Sequence, residues 1–169
     1  MKKTILIFLC LICILHFSNA QIAFVNSKYI LSKMPEYQAV QRQISQLGNQ
    51  WQREIDEKQT VLNRMNAEYA SDQVMLTDDI KKKRTEDLVN KEIEIRELQR
   101  SHFGFGGDLS KKEDSLTKPL QEKVNNSVQR VAASRNYKVV LDKSEGITVM
   151  FSDAKLDLSE DVLRDLGVK

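Results

Sequence analysis

Apolar residues recur at alternating steps of three and four along the charged stretch from Tyr37 to Val131. A helix with one such stripe must bury it against a partner, so the pattern predicts long helices that pair as in a coiled coil. Three seams follow this spacing, and a lysine fills one step in each of the first two. The first seam is Tyr37, Val40, Ile44, Leu47, Trp51, Ile55, Lys58, Leu62, Met65 and Tyr69; the second is Leu88, Lys91, Ile95, Leu98, His102, Phe105 and Leu109; the third is Leu116, Leu120, Val124, Val128 and Val131.

Two segments of the sequence are candidates for the turn at which the helical arm reverses direction. The run FGFGGD at 103–108 resembles a turn, since each glycine inside a helix costs about 1 kcal/mol relative to alanine. A hairpin that returns to its own base needs halves of similar length, however, and weak helix formers lie between Tyr69 and Asp79. We therefore expect the tip near residues 69–79. The glycines at 104–107 are then a break or hinge in the returning half, where alanine is expected to raise the helix content.

The two ends of the chain predict a small β head. Residues 22–25 read as a strand, residues 137–141 and 147–151 as a strand hairpin, and a short helix ended by Gly167 closes the chain. A head of this size is near the limit of about 40 residues below which a domain needs disulfides, metal or oligomerisation. Self-association is the route left open. The candidates for its shared core are Ile22, Phe24, Val139, Leu141, Val149 and Phe151.

These elements define the predicted fold class. We expect an α+β protein in which a long antiparallel helical hairpin of the coiled-coil type, residues 35–136, projects from a small β head. The head comprises residues 21–34 and 137–169 and is built by oligomerisation.

Residues 1–20 have the order of a secretory signal peptide: two lysines, an apolar run from Ile5 to Leu15, and small residues ending at Ala20. The apolar run is shorter than the ~20 residues that span a membrane, and a retained amphipathic anchor is the less favoured alternative. Cleavage would remove both cysteines and leave 24 basic residues against 24 acidic ones. A nucleic-acid-binding protein would carry a basic excess, so export and neutrality disfavour this third class.

The candidate chemistry of the exported chain is sparse. His102 would be its single histidine, and no cysteine or phosphate-binding glycine loop accompanies it. We therefore expect neither an enzyme nor a protein that needs a cofactor or a metal. The basic run Lys81–Arg84 near the tip has two interpretations, a solvated face or a site for phosphates and membrane surfaces, and its acidic flanks favour the solvated face.

Apolar residues off the seams separate two functional hypotheses. A binding module that holds unfolded chains needs such residues, whereas a structural coiled-coil protein that spaces or tethers envelope components does not. Flexible thioethers and stiff aromatic rings suit a surface for varied clients. The off-seam residues are Val61, Val74, Met75, Val89, Ile93 and Phe103. The candidates for client binding are Val74, Met75 and Phe103 from this set, together with the seam residues Met65, Tyr69 and Phe105.

The chain resembles the Skp/OmpH family of periplasmic chaperones over nearly its whole length. The specific matches are IAFVN at 22–26, the entry to the arm after Pro35, YKVVLDKS at 137–144 and LSEDVL at 158–163. The insert at 103–108 and the pair Lys118-Pro119 look like the variant found in Bacteroidetes-type members.

This resemblance implies a homotrimer with a β head and three helical arms around a cavity. The cavity would hold unfolded outer-membrane proteins in the periplasm without ATP and prevent their aggregation. Some family members are strongly basic, whereas the chain without its signal peptide is neutral. Capture of clients by charge is therefore not expected here, and apolar contacts should dominate.

Overall fold

The computed structural model describes residues 22–144, 146 and 149–168. The predicted signal peptide, and Ile147 and Thr148 of the predicted second hairpin strand, lie outside these residues. The described elements are, in order, β1 (Ile22–Val25), α1 (Ser27–Lys33), α2 (Pro35–Asp72), α3 (Asp78–Phe103), α4 (Asp108–Ser134), β2 (Val139–Asp142), a 3₁₀ turn (Ala154–Leu156) and α5 (Ser159–Asp165). Long helices accompany one small two-stranded sheet in this part of the chain, and the predicted fold class is confirmed.

The chain divides into two compact units. The arm unit is Leu31–Val124, and the head unit consists of the residues up to Ile30 and from Asn125 onward. These boundaries fall inside helices α1 and α4, whereas the sequence pattern predicted that the head is limited by residues 34 and 137. The last turns of α4 are therefore part of the head unit.

In the arm unit, helices α2 and α3 pack against each other. Pro35 occupies the first turn of α2, where its missing N–H would have no helical partner anyway. Helix α2 ends at Asp72 and α3 begins at Asp78, so the chain turns within residues 73–77. The buried side chains that join the pair are Ile55, Leu62 and Ile95, with Leu88 and Leu98 packed against them.

The seam positions are covered along the arm with one exception. Every residue of the first and third seams is buried or half-buried, and so are six of the seven residues of the second seam. The exception is Phe105, which is fully exposed. Its assignment to the seam was wrong because α3 ends at Phe103, so the helical period no longer determines where the next side chains point.

The glycine run forms a hydrogen-bonded turn between α3 and α4. The Gly104 N–H donates to Arg100 O at 2.9 Å, and the Gly107 N–H donates to Gly104 O at 2.8 Å. A Cβ atom on Gly104 would lie 2.3 Å from Arg100 O, and one on Gly107 would lie 2.8 Å from Ser101 O. The expectation that alanine raises helix content here does not fit this backbone, because alanine at either position collides with a carbonyl oxygen.

In the head unit, β1 and β2 pair in parallel, with Ile22 opposite Val139 and Phe24 opposite Leu141. The predicted hairpin of strands 137–141 and 147–151 is therefore wrong in its described part, since residues 149–151 are not in a strand. The physical reason lies at the end of β2. The Lys143 N–H donates to Val25 O at 2.8 Å, so the chain continues along β1 and does not turn back beside β2.

The other edge of β1 is occupied near the end of the chain. The Leu158 N–H donates to Phe24 O at 2.8 Å, and the Ser159 N–H donates to the Asp157 carboxylate at 2.9 Å at the start of α5. Helix α5 then buries Val162 and Leu163. Its carboxylates pair with two arginines: Asp165 lies 2.5 Å from Arg130 in α4, and Asp161 lies 2.6 Å from Arg135, which directly follows α4. Hydrogen bonds and ion pairs thus fix α5 within the head unit.

Candidate functional site

Exposed apolar side chains gather at the turn between α2 and α3. Val74 and Met75 are 88% and 82% exposed, and Ile80 on the first turns of α3 is about half exposed. We call these three residues the tip patch. Val74 and Met75 were candidates for client binding, and Ile80 was not recognised. Its signal in the sequence was an apolar residue off every seam, next to the predicted tip.

A second exposed apolar group lies at the glycine turn. Phe105 is fully exposed, and Phe103 is 41% exposed at the end of α3. The Phe103 ring packs edge-on against Trp51, with 6.4 Å between ring centroids, so one side of it is already occupied. We call Phe103 and Phe105 the break patch. At 1.5 Å per residue, the helical stretch from Ile80 to Phe103 separates the two patches by about 35 Å.

The remaining two client candidates, Met65 and Tyr69, are half-buried members of the first seam. The Tyr69 hydroxyl lies 3.4 Å from the Thr85 hydroxyl on α3. These two side chains therefore contribute to the pairing of α2 with α3, and less of their surface is available to a ligand. The structure thus divides the six candidates into an exposed group at two patches and a packed group between the helices.

The two polar interruptions of the seams meet at one carboxylate. Lys58 on α2 and Lys91 on α3 lie 2.7 and 2.8 Å from the oxygens of Glu94. The hydrogen bonds from Lys58 and then Lys91 lower the pKa of Glu94 from 4.5 to about 2. Polar groups at a seam fix the register of paired helices because a shifted register would leave them without partners. This ion-pair group therefore helps to set the register of α2 against α3.

The sheet of the head unit has two unlike faces. Ala23 and Val25 are buried on one face. Side chains alternate across a strand, so the opposite face carries Ile22 and Phe24 of β1 together with Val139 and Leu141 of β2. This second group, which we call the head face, is half-buried to exposed and contains four of the six candidates for the oligomer core. These four side chains lie on the same face because the parallel register places Ile22 opposite Val139 and Phe24 opposite Leu141.

A groove of about 470 Å³ lies beside β2, lined by the end of α4 and the start of β2. Polar residues such as Asn125 and Lys138 line it together with apolar ones such as Val128 and Val140. Of the other two oligomer candidates, Val149 is half-buried and Phe151 is 87% exposed. Met150 is even more exposed than Phe151 and was not predicted, because strict strand alternation placed it on the opposite face.

The basic run at the tip is mixed with acidic residues. Lys81 lies 3.7 Å from Asp78, and Lys82 and Lys83 are exposed. No helix in the described ranges is both long and apolar enough to cross a bilayer. Within the same residues, His, Cys, Asp and Glu side chains do not gather in a group that could hold a metal ion.

A long helical hairpin with exposed apolar patches, together with a small sheet that carries an apolar face, defines a class of proteins with paired helical arms. The family model described as Outer membrane protein (OmpH-like) matches residues 21–166 of the chain. The chain therefore belongs to the OmpH-like family, the family that its sequence resembles.

One solved structure with the same fold comes from Caulobacter crescentus and is described as "a putative outer membrane chaperone (OmpH-like)". The two chains share 15% sequence identity and a TM-score of 0.73, and the match covers 88% of this chain and 85% of the other. At this identity the comparison supports the fold. No curated protein matches the chain significantly.

Proposed function

We propose that this protein is an ATP-independent periplasmic holdase. It binds unfolded outer-membrane proteins between helical arms and prevents their aggregation. The observation that carries this proposal is the exposure of Val74, Met75 and Phe105, which contact water at positions where a purely structural rod would need no apolar residue.

The physical basis of binding is the burial of apolar surface. Each Å² removed from water contributes about 25 cal/mol, so several small patches bind an unfolded chain weakly and at many places. Weak, distributed contacts suit clients of varied sequence, and the flexible Met75 thioether adapts to different side chains. Charge contributes less, since basic and acidic residues balance once the signal peptide is removed.

The head face supports self-association as part of this proposal. Ile22 and Val139 lie opposite each other and are 39% and 46% exposed, and Met150 and Phe151 add apolar surface in the same unit. A homotrimer would bury these side chains against other copies and place several arms around one cavity. Light scattering of the purified protein tests this part, and a stable monomer at micromolar concentration would refute it.

The holdase proposal is tested by the aggregation of an unfolded outer-membrane protein diluted from urea. Replacing Met75 and Phe105 together by serine should weaken the suppression of aggregation and leave the helix content unchanged, because neither side chain is packed. The matched control replaces Lys82 and Lys83 by serine at the same tip. Both variants are measured at low and high salt.

Two outcomes would contradict the proposal. Holding that survives the apolar double substitution but disappears at high salt would mean that charge captures the client. A folded protein that never suppresses aggregation would instead favour the alternative function, a coiled-coil protein that spaces or tethers components of the cell envelope. Binding of the basic run to membranes is tested separately, by comparing how much of the unaltered protein and of the lysine variant co-sediments with anionic vesicles.

A further inference from the structure

Helix α2 passes the break between α3 and α4 without interruption and contacts both sides of it. On the α3 side, the Trp51 indole stacks on the His102 imidazole, with 4.1 Å between ring centroids and 4° between ring planes. On the α4 side, Gly48 faces Leu109, whose Cδ2 atom would lie 3.5 Å from a Cβ atom at position 48. Gly48 and Trp51 are one helical turn apart, so a single turn of α2 spans the break.

His102 connects three helices through one side chain. Its ring belongs to the last turn of α3, stacks on Trp51 of α2, and places Nδ1 3.1 Å from the carboxylate of Asp108, the first residue of α4. The imidazole is 15% exposed, and the Phe103 ring stands perpendicular to it. Stacking and hydrogen bonding therefore act on the same ring from two different helices.

The backbone of the turn, by contrast, contains only short-range hydrogen bonds. They join Arg100 to Gly104, Gly104 to Gly107 and Gly107 to Lys111. Gly106 has φ +65, and glycine adopts positive and negative φ about equally readily, so the backbone is conformationally permissive at this residue. Side-chain contacts with α2 are therefore needed to give α4 a fixed direction.

We propose that Trp51, His102 and Asp108 form a latch that holds the break in one conformation. When the latch opens, the hydrogen bond between His102 and Asp108 breaks and α4 changes direction relative to the α2–α3 pair. The His102 ring, no longer held by Asp108, then leaves the Trp51 indole, and Trp51 becomes accessible to water. The latch is a conformational device of the arm itself, and it goes beyond the proposed function because it operates with or without a client.

The first test measures distances across the break by electron spin resonance. Spin labels are placed on the exposed positions Glu86 of α3 and Glu122 of α4, with Cys10 and Cys13 replaced by serine and with labelled chains diluted in unlabelled ones. A hydrogen bond to a charged group contributes ~1.5 kcal/mol, equivalent to about a tenfold change in an equilibrium constant. Asp108→Ala should therefore raise the ratio of open to closed arms about tenfold, which appears as a second, broader distance population.

The second test uses the single tryptophan of the protein. His102→Ala should make Trp51 more accessible to acrylamide quenching, whereas His102→Phe keeps a stacked ring and should give an intermediate result. If His102→Ala lowers the helix content, the Asp108→Ala variant of the first test takes its place, since alanine cannot hydrogen-bond to the His102 ring. Glu92→Gln is the matched control, since it removes an exposed ion pair with Arg96 inside α3 without touching the break.

The latch is supported if the histidine and aspartate variants broaden the distance distribution and expose Trp51 while Glu92→Gln changes neither. It is overturned if both readouts in the histidine and aspartate variants match those of the unaltered protein. Neither readout uses a client, so a failure of the holdase proposal would leave this result unaffected.

Discussion

Helix propensity and the observed backbone predict opposite effects on stability when Gly104 is replaced by alanine. Helix propensity alone predicts that alanine stabilises the arm by about 1 kcal/mol and extends helix α3. The structure predicts the opposite, because a Cβ atom at this position would lie 2.3 Å from Arg100 O, closer than real Cβ atoms approach any atom. The backbone of the turn would have to move to accept the new methyl group.

The size of the effect follows from what that movement breaks. The Gly104 N–H donates to Arg100 O at 2.9 Å, and losing this bond costs about 1 kcal/mol. Displacement of the turn also disturbs the hydrogen bond between Gly107 and Gly104 and the contact between His102 and Asp108. We expect Gly104→Ala to destabilise the arm by about 2–3 kcal/mol, in the range of backbone-incompatible substitutions.

Two other glycines serve as controls with different expected results. Gly48 lies inside α2, and the nearest atom to its added Cβ is at 3.5 Å, an ordinary contact. Gly48→Ala should therefore stabilise the arm by about 1 kcal/mol. Gly106 has a left-handed φ of +65 in open space, so Gly106→Ala should destabilise it by about 1–2 kcal/mol without any collision.

The assay combines urea unfolding, followed by circular dichroism at 222 nm, with hydrogen exchange of the amides that begin α4. Faster exchange at Lys111, whose N–H donates to Gly107 O, would locate the damage at the turn. A larger 222-nm signal for Gly104→Ala with an unchanged or higher urea midpoint would refute the reasoning. It would mean that the break is only a weak point in a helix.

Three further predictions concern the arm and the head. Ile55→Ala should destabilise the arm by about 2–4 kcal/mol in urea unfolding, since Ile55 is 2% exposed in the α2–α3 core. A substitution at an exposed position, such as Glu92→Ala, should cost less than about 0.5 kcal/mol. Hydrogen bonds from Lys58 and Lys91 lower the pKa of Glu94 to about 2, so the ionised carboxylate stabilises the fold fully above pH 4.5 and loses this effect as the pH falls toward 2. In Glu94→Gln, the melting temperature should therefore change less with pH over that interval. A melting temperature that depends on pH as in the unaltered protein would contradict the pairing. If the proposed oligomer forms through the head face, Val139→Lys should dissociate it without unfolding the head, because Val139 is 46% exposed in a single chain. Light scattering and circular dichroism check the two effects, and an oligomer that survives the substitution would show that the head face is not its interface.

Much of the arm could be predicted from the order of apolar residues. Paired helices require apolar side chains on one face, and this requirement appears in the sequence as apolar residues spaced three and four positions apart. The deeply buried positions Ile55, Leu62 and Ile95 are all members of the predicted seams. The period holds only while the backbone is helical, and for this reason it failed at Phe105, two residues after the end of α3.

The candidate site could be predicted in part. Val74 and Met75 were recognisable as apolar residues in a stretch of weak helix formers, and both are exposed. The meeting of Lys58 and Lys91 at Glu94 was not predictable, because Glu94 lies off the seams and its partner on α2 is 36 residues away in sequence. The stacking of Trp51 on His102 likewise depends on the axial register of α2 against α3, which no local sequence pattern predicts.

The head shows most clearly what the sequence determines and what the tertiary structure decides. Local composition predicted strands at residues 22–25 and 137–141, since β-branched and aromatic residues favour extended backbone, and the structure has strands at Ile22–Val25 and Val139–Asp142. The partner and direction of each strand depend on the whole chain, because parallel strands require a long crossover and here more than 110 residues separate β1 from β2. A hairpin of neighbouring segments was the natural expectation from sequence. Backbone hydrogen bonds from Lys143 to Val25 and from Leu158 to Phe24 settle the arrangement differently, because they place β1 between the end of β2 and the start of the terminal helix.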